Sequence, residues 1–251
     1  MWQLKNITVR EQDAYLVRNA SAAFHPGRLS VILGPNGAGK TSLLRAALGL
    51  QKMASGESIL NDVLYSDFSP DDRARHTAYL PQDRPLAWPM FAEDIVALGR
   101  FAYGASPNRL SKADEIAVDS ALSRCNLTHL VGRQADSLSG GEKARLHLAR
   151  TLATEATWII ADEPIAGLDP KHQHEMMRVL KNEATNGKGV ILVLHDLSLA
   201  ARYADDVLIM KEGSVVCNGP TRQCINSSTL SAVYEIPVEV RNHDVLFTPA
   251  G

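Results

Sequence analysis

Residues 34–41 read Gly34-Pro35-Asn36-Gly37-Ala38-Gly39-Lys40-Thr41. The stretch fits G-x-x-x-x-G-K-[ST], the pattern of a phosphate-binding loop. Its flanks decide the reading. Upstream, Arg28 to Leu33 (R-L-S-V-I-L) is a short apolar, β-branched run, as expected of a buried strand. Downstream, T-S-L-L-R-A-A-L from Thr41 to Leu48 opens a helix. Glycines let the backbone wrap closely around phosphate, with N–H groups pointing inward, and the helix N-terminus adds a favourable dipole. Lys40 is expected to reach the β- and γ-phosphates of a nucleotide, and the Thr41 hydroxyl to ligate Mg²⁺. Gly34 through Ser42 therefore form the expected phosphate cradle. A glycine-rich turn with a chance lysine would not need this strand–loop–helix frame.

The bulk properties bound the rest. The chain has 251 residues with 45% hydrophobic content, enough for one large α/β domain or two small lobes. A net charge of −2 gives no bulk attraction to nucleic acid. Cys125, Cys217 and Cys224 are spread without C-x-x-C spacing, which suggests a reducing compartment and neither a disulfide frame nor a zinc site. The first residues lack the layout of a signal peptide, and no apolar run approaches the roughly 18 residues needed to span a bilayer. These features predict a cytoplasmic protein whose membrane role, if any, comes through a partner.

Along the chain, Gln3 to Val9 alternates at period two and Tyr15 to Ala20 does so loosely, as in an antiparallel sheet with one wet face. Pro26-Gly27 is a turn. Glu57 to Leu64 reads as a hairpin around Asn61-Asp62, and Thr77 to Leu80 as a strand stopped by Pro81. Residues 83–137 differ: Pro85, Pro89 and Pro107 punctuate them, Glu93 to Arg100 and Lys112 to Arg124 are helical in period, and no convincing strand is present. This reads as a helical insertion. Beyond it, strands near 157–161, 190–194 and 207–210 alternate with helices at 141–155, 171–183 and 197–204, which argues for a mostly parallel sheet. Glu212-Gly213 turns a hairpin.

Two further stretches carry chemistry. Thr157 to Glu163 (T-W-I-I-A-D-E) is a buried-looking strand ending in two carboxylates. Asp162 is placed to hold Mg²⁺, and Glu163 to polarise an attacking water. Leu138-Ser139-Gly140-Gly141-Glu142 opens a helix with free N–H groups, a hydroxyl and a positive dipole end, a second anion site. Its spacing also fits an ordinary capping box between Ser139 and Glu142. One chain has one phosphate loop, so a second γ-phosphate binder suggests a partner copy.

These motifs, in this order and spacing with Leu168-Asp169 and His195, resemble the ATP-binding subunits of ABC transporters, over essentially the whole chain. The resemblance implies an α/β P-loop NTPase fold: a RecA-like core, an N-terminal antiparallel β subdomain and an inserted helical subdomain. It implies one ABC ATP-binding domain over 1–251, with 1–82 and 141–251 as the core and β subdomain and 83–140 as the helical subdomain. It makes Ser139, Gly140, Gly141 and Glu142 part of the signature motif that binds ATP. It makes Gln82 the Q-loop glutamine at the Mg²⁺ and the water, Asp169 the D-loop aspartate at the dimer contact, and His195 the switch histidine. Glu163, His195 and Gln82 are then the catalytic set, with ATP and Mg²⁺ as ligands. Two positions depart from the family. An adenine-stacking aromatic is expected upstream of the phosphate loop, where Arg10 or Glu11 falls, with Tyr15 nearby but off register. Ile165 replaces the usual threonine.

The runs Tyr79 to Gln82, Ile95 to Arg100, Leu194 to Asp205 and Tyr234 to Val238 resemble the subfamily serving importers of ferric siderophores, haem and cobalamin, in that order of preference. The expected assembly is a head-to-tail homodimer sandwiching ATP, docked through residues 83–104 on two membrane-spanning permease subunits. It would lie peripherally on the cytoplasmic face of the inner membrane, with a solute-binding protein as an indirect partner and no nucleic acid. An exporter subunit or a soluble ABC ATPase is the alternative. A DNA-repair type needs a long coiled coil that residues 83–137 cannot supply, and a ribosomal type needs two cassettes.

Overall fold

The computed structural model describes residues 1–84, 90–107 and 109–247. Pro85 and Pro89, expected to punctuate the helical insertion, lie outside the described residues. In chain order the elements are strands β1 (Trp2–Glu11), β2 (Ala14–Phe24) and β3 (Leu29–Leu33), helix α1 (Lys40–Ala47), β4 (Ser55–Leu60), β5 (Val63–Leu64), α2 (Pro70–His76) and β6 (Thr77–Leu80). Then come α3 (Ala92–Ala97), α4 (Lys112–Arg124), α5 (Gly140–Ala153), β7 (Trp158–Asp162), α6 (Pro170–Thr185) and β8 (Gly189–Val193). The chain continues with α7 (Leu197–Tyr203), β9 (Asp206–Lys211), β10 (Ser214–Pro220), α8 (Thr221–Cys224), α9 (Ser227–Tyr234), β11 (Val238–Arg241) and β12 (Asp244–Phe247).

Two compact units divide the chain: Met1–Phe68 with Ala184–Gly251, and Ser69–Glu183. The second takes in more chain than the expected 83–140 insertion, because α2, β6, α5, β7 and most of α6 group with the helices.

In the first unit, β1 pairs antiparallel with β2 and β4. Alternation places Trp2, Leu4, Ile7 and Val9 inside. Trp2 satisfies its buried indole N–H on Ser58 Oγ at 2.8 Å, and that hydroxyl donates to the Ala47 carbonyl at 2.8 Å. β3 is buried along its whole length. It runs parallel to β8 and β9, and β10 adds antiparallel to β9. Continuous apolar runs in β3 and β8 are what a sheet covered on both faces requires.

One reading of the sequence is corrected here. Cys217 and Cys224 form a disulfide, with Cα atoms 5.8 Å apart. β10 ends at Pro220 and α8 turns at once, so seven residues of separation fold back into bonding distance. The third cysteine, Cys125, is a buried thiol that burial pushes up to about 12, which keeps it protonated and inert.

In the second unit, β6 and β7 pair in parallel, and α5 packs with α3 and α4. Ile95, Leu122, Leu127, Leu130, Leu146, Leu148 and Leu152 form its apolar interior. The helix expected from Glu93 to Arg100 ends as α-helix at Ala97 and tightens into a 3₁₀ segment, Leu98–Tyr103. A Cβ on Gly99 would lie 2.3 Å from the Arg150 carbonyl, so the segment sits flush on α5. Arg100, 4% exposed, bonds Asp114 at 2.9 Å, Glu155 at 2.8 Å and the Ala153 carbonyl at 2.9 Å, with its guanidinium 3.8 Å from the Tyr103 ring centre. Asp114 also completes a capping box with Ser111. Hydrogen bonds from Ser111 and Arg100 hold its carboxyl below the usual carboxylate range. No helix among the described residues is long and apolar enough to cross a membrane.

Candidate active site

The phosphate loop belongs to the first unit. Gly39 has φ of 92°, and a Cβ there would lie 2.2 Å from the Leu16 carbonyl of β2. Gly34 is pressed as closely, 2.2 Å from the Met210 carbonyl of β9. The loop is thus moulded between two strands by backbone contact that only glycine permits. Asn36 and Gly37 are exposed at its tip, while Thr41 and Ser42 are half-buried where α1 begins. Lys40 is buried, and its Nζ donates to the carbonyls of Gly34 at 2.8 Å and Pro35 at 2.9 Å. The first turn of α1 holds no acidic residue, so nothing there repels a phosphate. His195 follows β8 in the same unit and is exposed. Asp196 caps α7, its Oδ1 accepting from Leu199 N at 2.8 Å.

Tyr15, 46% exposed, has the guanidiniums of Arg10 and Arg18 5.5 and 5.0 Å from its ring centre. Of the residues expected near adenine, Arg10 and Tyr15 thus lie together, joined by Arg18, and Tyr15 precedes the Leu16 carbonyl that abuts the phosphate loop.

The acidic pair belongs to the second unit. Asp162 ends β7 fully buried, and Glu163 follows half-buried. Glu163 has φ of 49°, a left-handed conformation that strains a non-glycine residue by about 1–2 kcal/mol. Gln82 Nε2 donates to Glu163 Oε2 at 2.9 Å, so the Q-loop amide and the carboxylate meet directly. Ile165 is buried, in keeping with a packing role for that departure.

The signature stretch opens α5. Ser139 Oγ accepts from Glu142 N at 3.3 Å, and Glu142 Oε2 accepts from Ser139 N at 2.8 Å. The capping-box reading holds, and it leaves Ser139 and Gly140 exposed at a positive helix end. Asp169 caps α6: Oδ1 accepts from His172 N at 3.0 Å, and Oδ2 lies 2.7 Å from His172 Nδ1. Those bonds hold its carboxyl below the usual range. The His172 ring also packs on Gly141, where an added Cβ would meet it at 3.0 Å. The D-loop and signature helix are therefore in direct contact.

Sequence reasoning missed two residues here. His172 was legible in principle, as a histidine three positions after a capping aspartate. Arg84 left no local signal. Its guanidinium donates to four backbone carbonyls around the Q-loop and Glu163, and it lines a cleft of about 470 Å³ with Gln82, Asp136, Lys143, His147 and Leu168. Among the described residues, no group of three or more His, Cys, Asp or Glu side chains forms a metal cluster.

The sequence model of the ABC transporter family matches residues 17–166. The chain is 40% identical over 219 residues to the hemin import ATP-binding protein HmuV of Nocardia farcinica, covering 87% of this chain and 75% of that protein. It is 36% identical to the protein of the same name from Agrobacterium fabrum, covering 94% of this chain and 92% of that one. Among solved structures, the dimeric ATP-binding cassette MJ0796 bound to ADP and Pi superposes with a TM-score of 0.76 at 26% identity, covering 88% and 99% of the two chains. An ABC transporter described as of metal-chelate type, in an inward-facing conformation, shares the fold with a TM-score of 0.83 at 23% identity, covering 100% and 97%. This chain is an ATP-hydrolysing, ATP-binding subunit of the ABC transporter family.

Proposed function

We propose that the chain powers the import of hemin, as a head-to-tail pair of copies beneath two membrane-spanning subunits on the cytoplasmic face of the inner membrane. The observation that carries this reading is the near end-to-end identity with hemin import ATP-binding proteins, 36% over 94% of this chain for the Agrobacterium relative. It moves haem ahead of the ferric siderophore that the sequence runs favoured, with cobalamin third. A solute-binding protein delivers the cargo and does not touch this subunit.

Each residue has a task that its surroundings suit. Gly34 through Ser42 cradle the phosphates, and Lys40 exchanges the carbonyls of Gly34 and Pro35 for phosphate oxygens. Ser139, Gly140, Gly141 and Glu142 present the signature helix end to the γ-phosphate held by the partner copy, and Asp169 lines the contact between copies. Thr41, Gln82 and Asp162 offer a hydroxyl, an amide and a carboxylate, oxygen donors that suit Mg²⁺. When bound, Mg²⁺ neutralises charge on the β- and γ-phosphates. Glu163 accepts a proton from the attacking water while Gln82 orients its carboxylate, and His195 contacts the γ-phosphate. Closure draws on phosphate contacts that exist only in the paired state, a shift of population by differential affinity. Phe91, Leu98, Phe101 and Tyr103 give the 83–104 stretch an exposed apolar surface suited to docking on membrane subunits, Phe101 being 77% exposed. Residues 85–89 of that stretch lie outside the described residues.

Uptake of labelled hemin, ferric siderophore and cobalamin, compared between wild type and Glu163→Gln in the source cell, tests the reading. Loss of hemin uptake alone supports it. Loss of siderophore uptake alone replaces the cargo, and loss of none with ATPase intact in the wild type points to export or a soluble role.

A further inference from the structure

We infer that Arg84 is a positioning residue for hydrolysis, tying the Q-loop to the strained turn that carries Glu163; the inference rests on the reading of Glu163 as the group that polarises water. The geometry is a single planar cation between two chain segments. Arg84 Nε donates to the carbonyls of Pro81 at 2.8 Å and Gln82 at 3.3 Å. Its Nη2 donates to the carbonyls of Glu163 at 3.2 Å and Pro164 at 3.4 Å. The Gln82–Glu163 side-chain bond at 2.9 Å spans the same gap. Together they form a double tie, one link through the backbone and one through the reacting carboxylate.

Three features separate this from a surface ion pair. The acceptors are all carbonyls, so Arg84 orients Glu163 without forming an ion pair with the carboxylate that must take a proton. The bond to the Glu163 carbonyl fixes the peptide next to a residue at φ of 49°, a conformation that persists only where neighbours over-determine it. The guanidinium is half-buried, lining a cleft with Gln82 and His147, where its hydrogen bonds are less weakened by water than at an open surface. A lysine has one donor point and cannot bridge both segments in this fork.

The test uses the purified full-length chain and steady-state ATPase, with thermal unfolding as a control. Arg84→Ala is expected to lower kcat by about 10- to 100-fold, with KM for ATP changed less than about twofold, and Arg84→Lys to recover only part of the loss. Glu163→Gln is assayed beside them, and adding Arg84→Ala to it is expected to remove nothing further. Should Arg84→Ala fail to fold, Arg84→Lys decides alone, with a fall in kcat at constant KM supporting the role and an unchanged kcat overturning it. Wild-type kcat in Arg84→Ala while Glu163→Gln is inactive overturns this inference and leaves the assignment of Glu163 standing. A raised KM at unchanged kcat assigns Arg84 to nucleotide binding and also overturns it. Turnover retained in Glu163→Gln overturns the assignment on which the inference rests.

Discussion

Gly39 and Glu163 both hold the chain at positive φ, 92° and 49°, and the two units secure them differently. Gly39 is gripped by backbone: the Leu16 carbonyl of β2 lies where a side chain would begin. Glu163 is gripped by side chains, the amide of Gln82 and the guanidinium of Arg84. A loop held by backbone packing has one shape and tolerates no added atom. A turn held by long side chains can be retuned or released without rebuilding the strand beneath it. Binding of phosphate gains from the first kind of support, and a carboxylate that must report the state of its neighbour gains from the second.

The largest effect should come from the backbone-held loop. Gly39→Ala is expected to weaken ATP binding by more than about 100-fold, roughly 3 kcal/mol, in a titration of the purified chain. Near-normal affinity would show that the loop can yield and would remove half of the comparison. In the second unit, Arg100→Met leaves Asp114 buried without its cation and should lower unfolding free energy by about 3 kcal/mol in denaturant melts. A loss below about 1 kcal/mol would mean that side-chain networks do not support that unit. The effect that is smallest at neutral pH is a pH dependence. Burial, and then the charges of Arg150 and Arg84, push His147 from 6.5 down to about 4, so it is neutral in the folded chain. Unfolded chain takes up this proton below about pH 6.5, and folded chain only near 4. Stability is therefore full above about pH 6.5 and falls by roughly 3 kcal/mol toward pH 4. His147→Gln should flatten that part of the curve.

What could be read from the sequence follows the same division. The strands and helices that carry residues 34–41, 138–142 and 157–163 were legible because glycine-rich turns, caps and buried apolar runs are local signals. Helix α4 was legible to the residue because its helical period is local, and the Ser111 cap fixes its start in the structure. Helix α2 was not foreseen, although Ser69, Pro70, Asp71 and Asp72 give a strong start signal, because none of its residues is buried and periodicity had nothing to register. The disulfide and the Arg84 bridge were illegible for a different reason. Their partners meet only after strands and turns have folded, and neither spacing nor residue type announces it. The Gln82–Glu163 bond stands between these cases: each residue was expected at the site, and their direct contact was not.

Gly99 and Arg100 give the second unit a mechanical property. The 3₁₀ segment from Leu98 to Tyr103 lies against α5 with no room for a methyl group between Gly99 and the Arg150 carbonyl, and Arg100 is bolted to the Ala153 carbonyl and Glu155. Phe101 is exposed on that segment, which is packed on the C-terminal end of α5, while Ser139 caps the opposite end of the same helix. With no spare volume at that joint, a methyl group added at Gly99 has to lift the whole segment off α5.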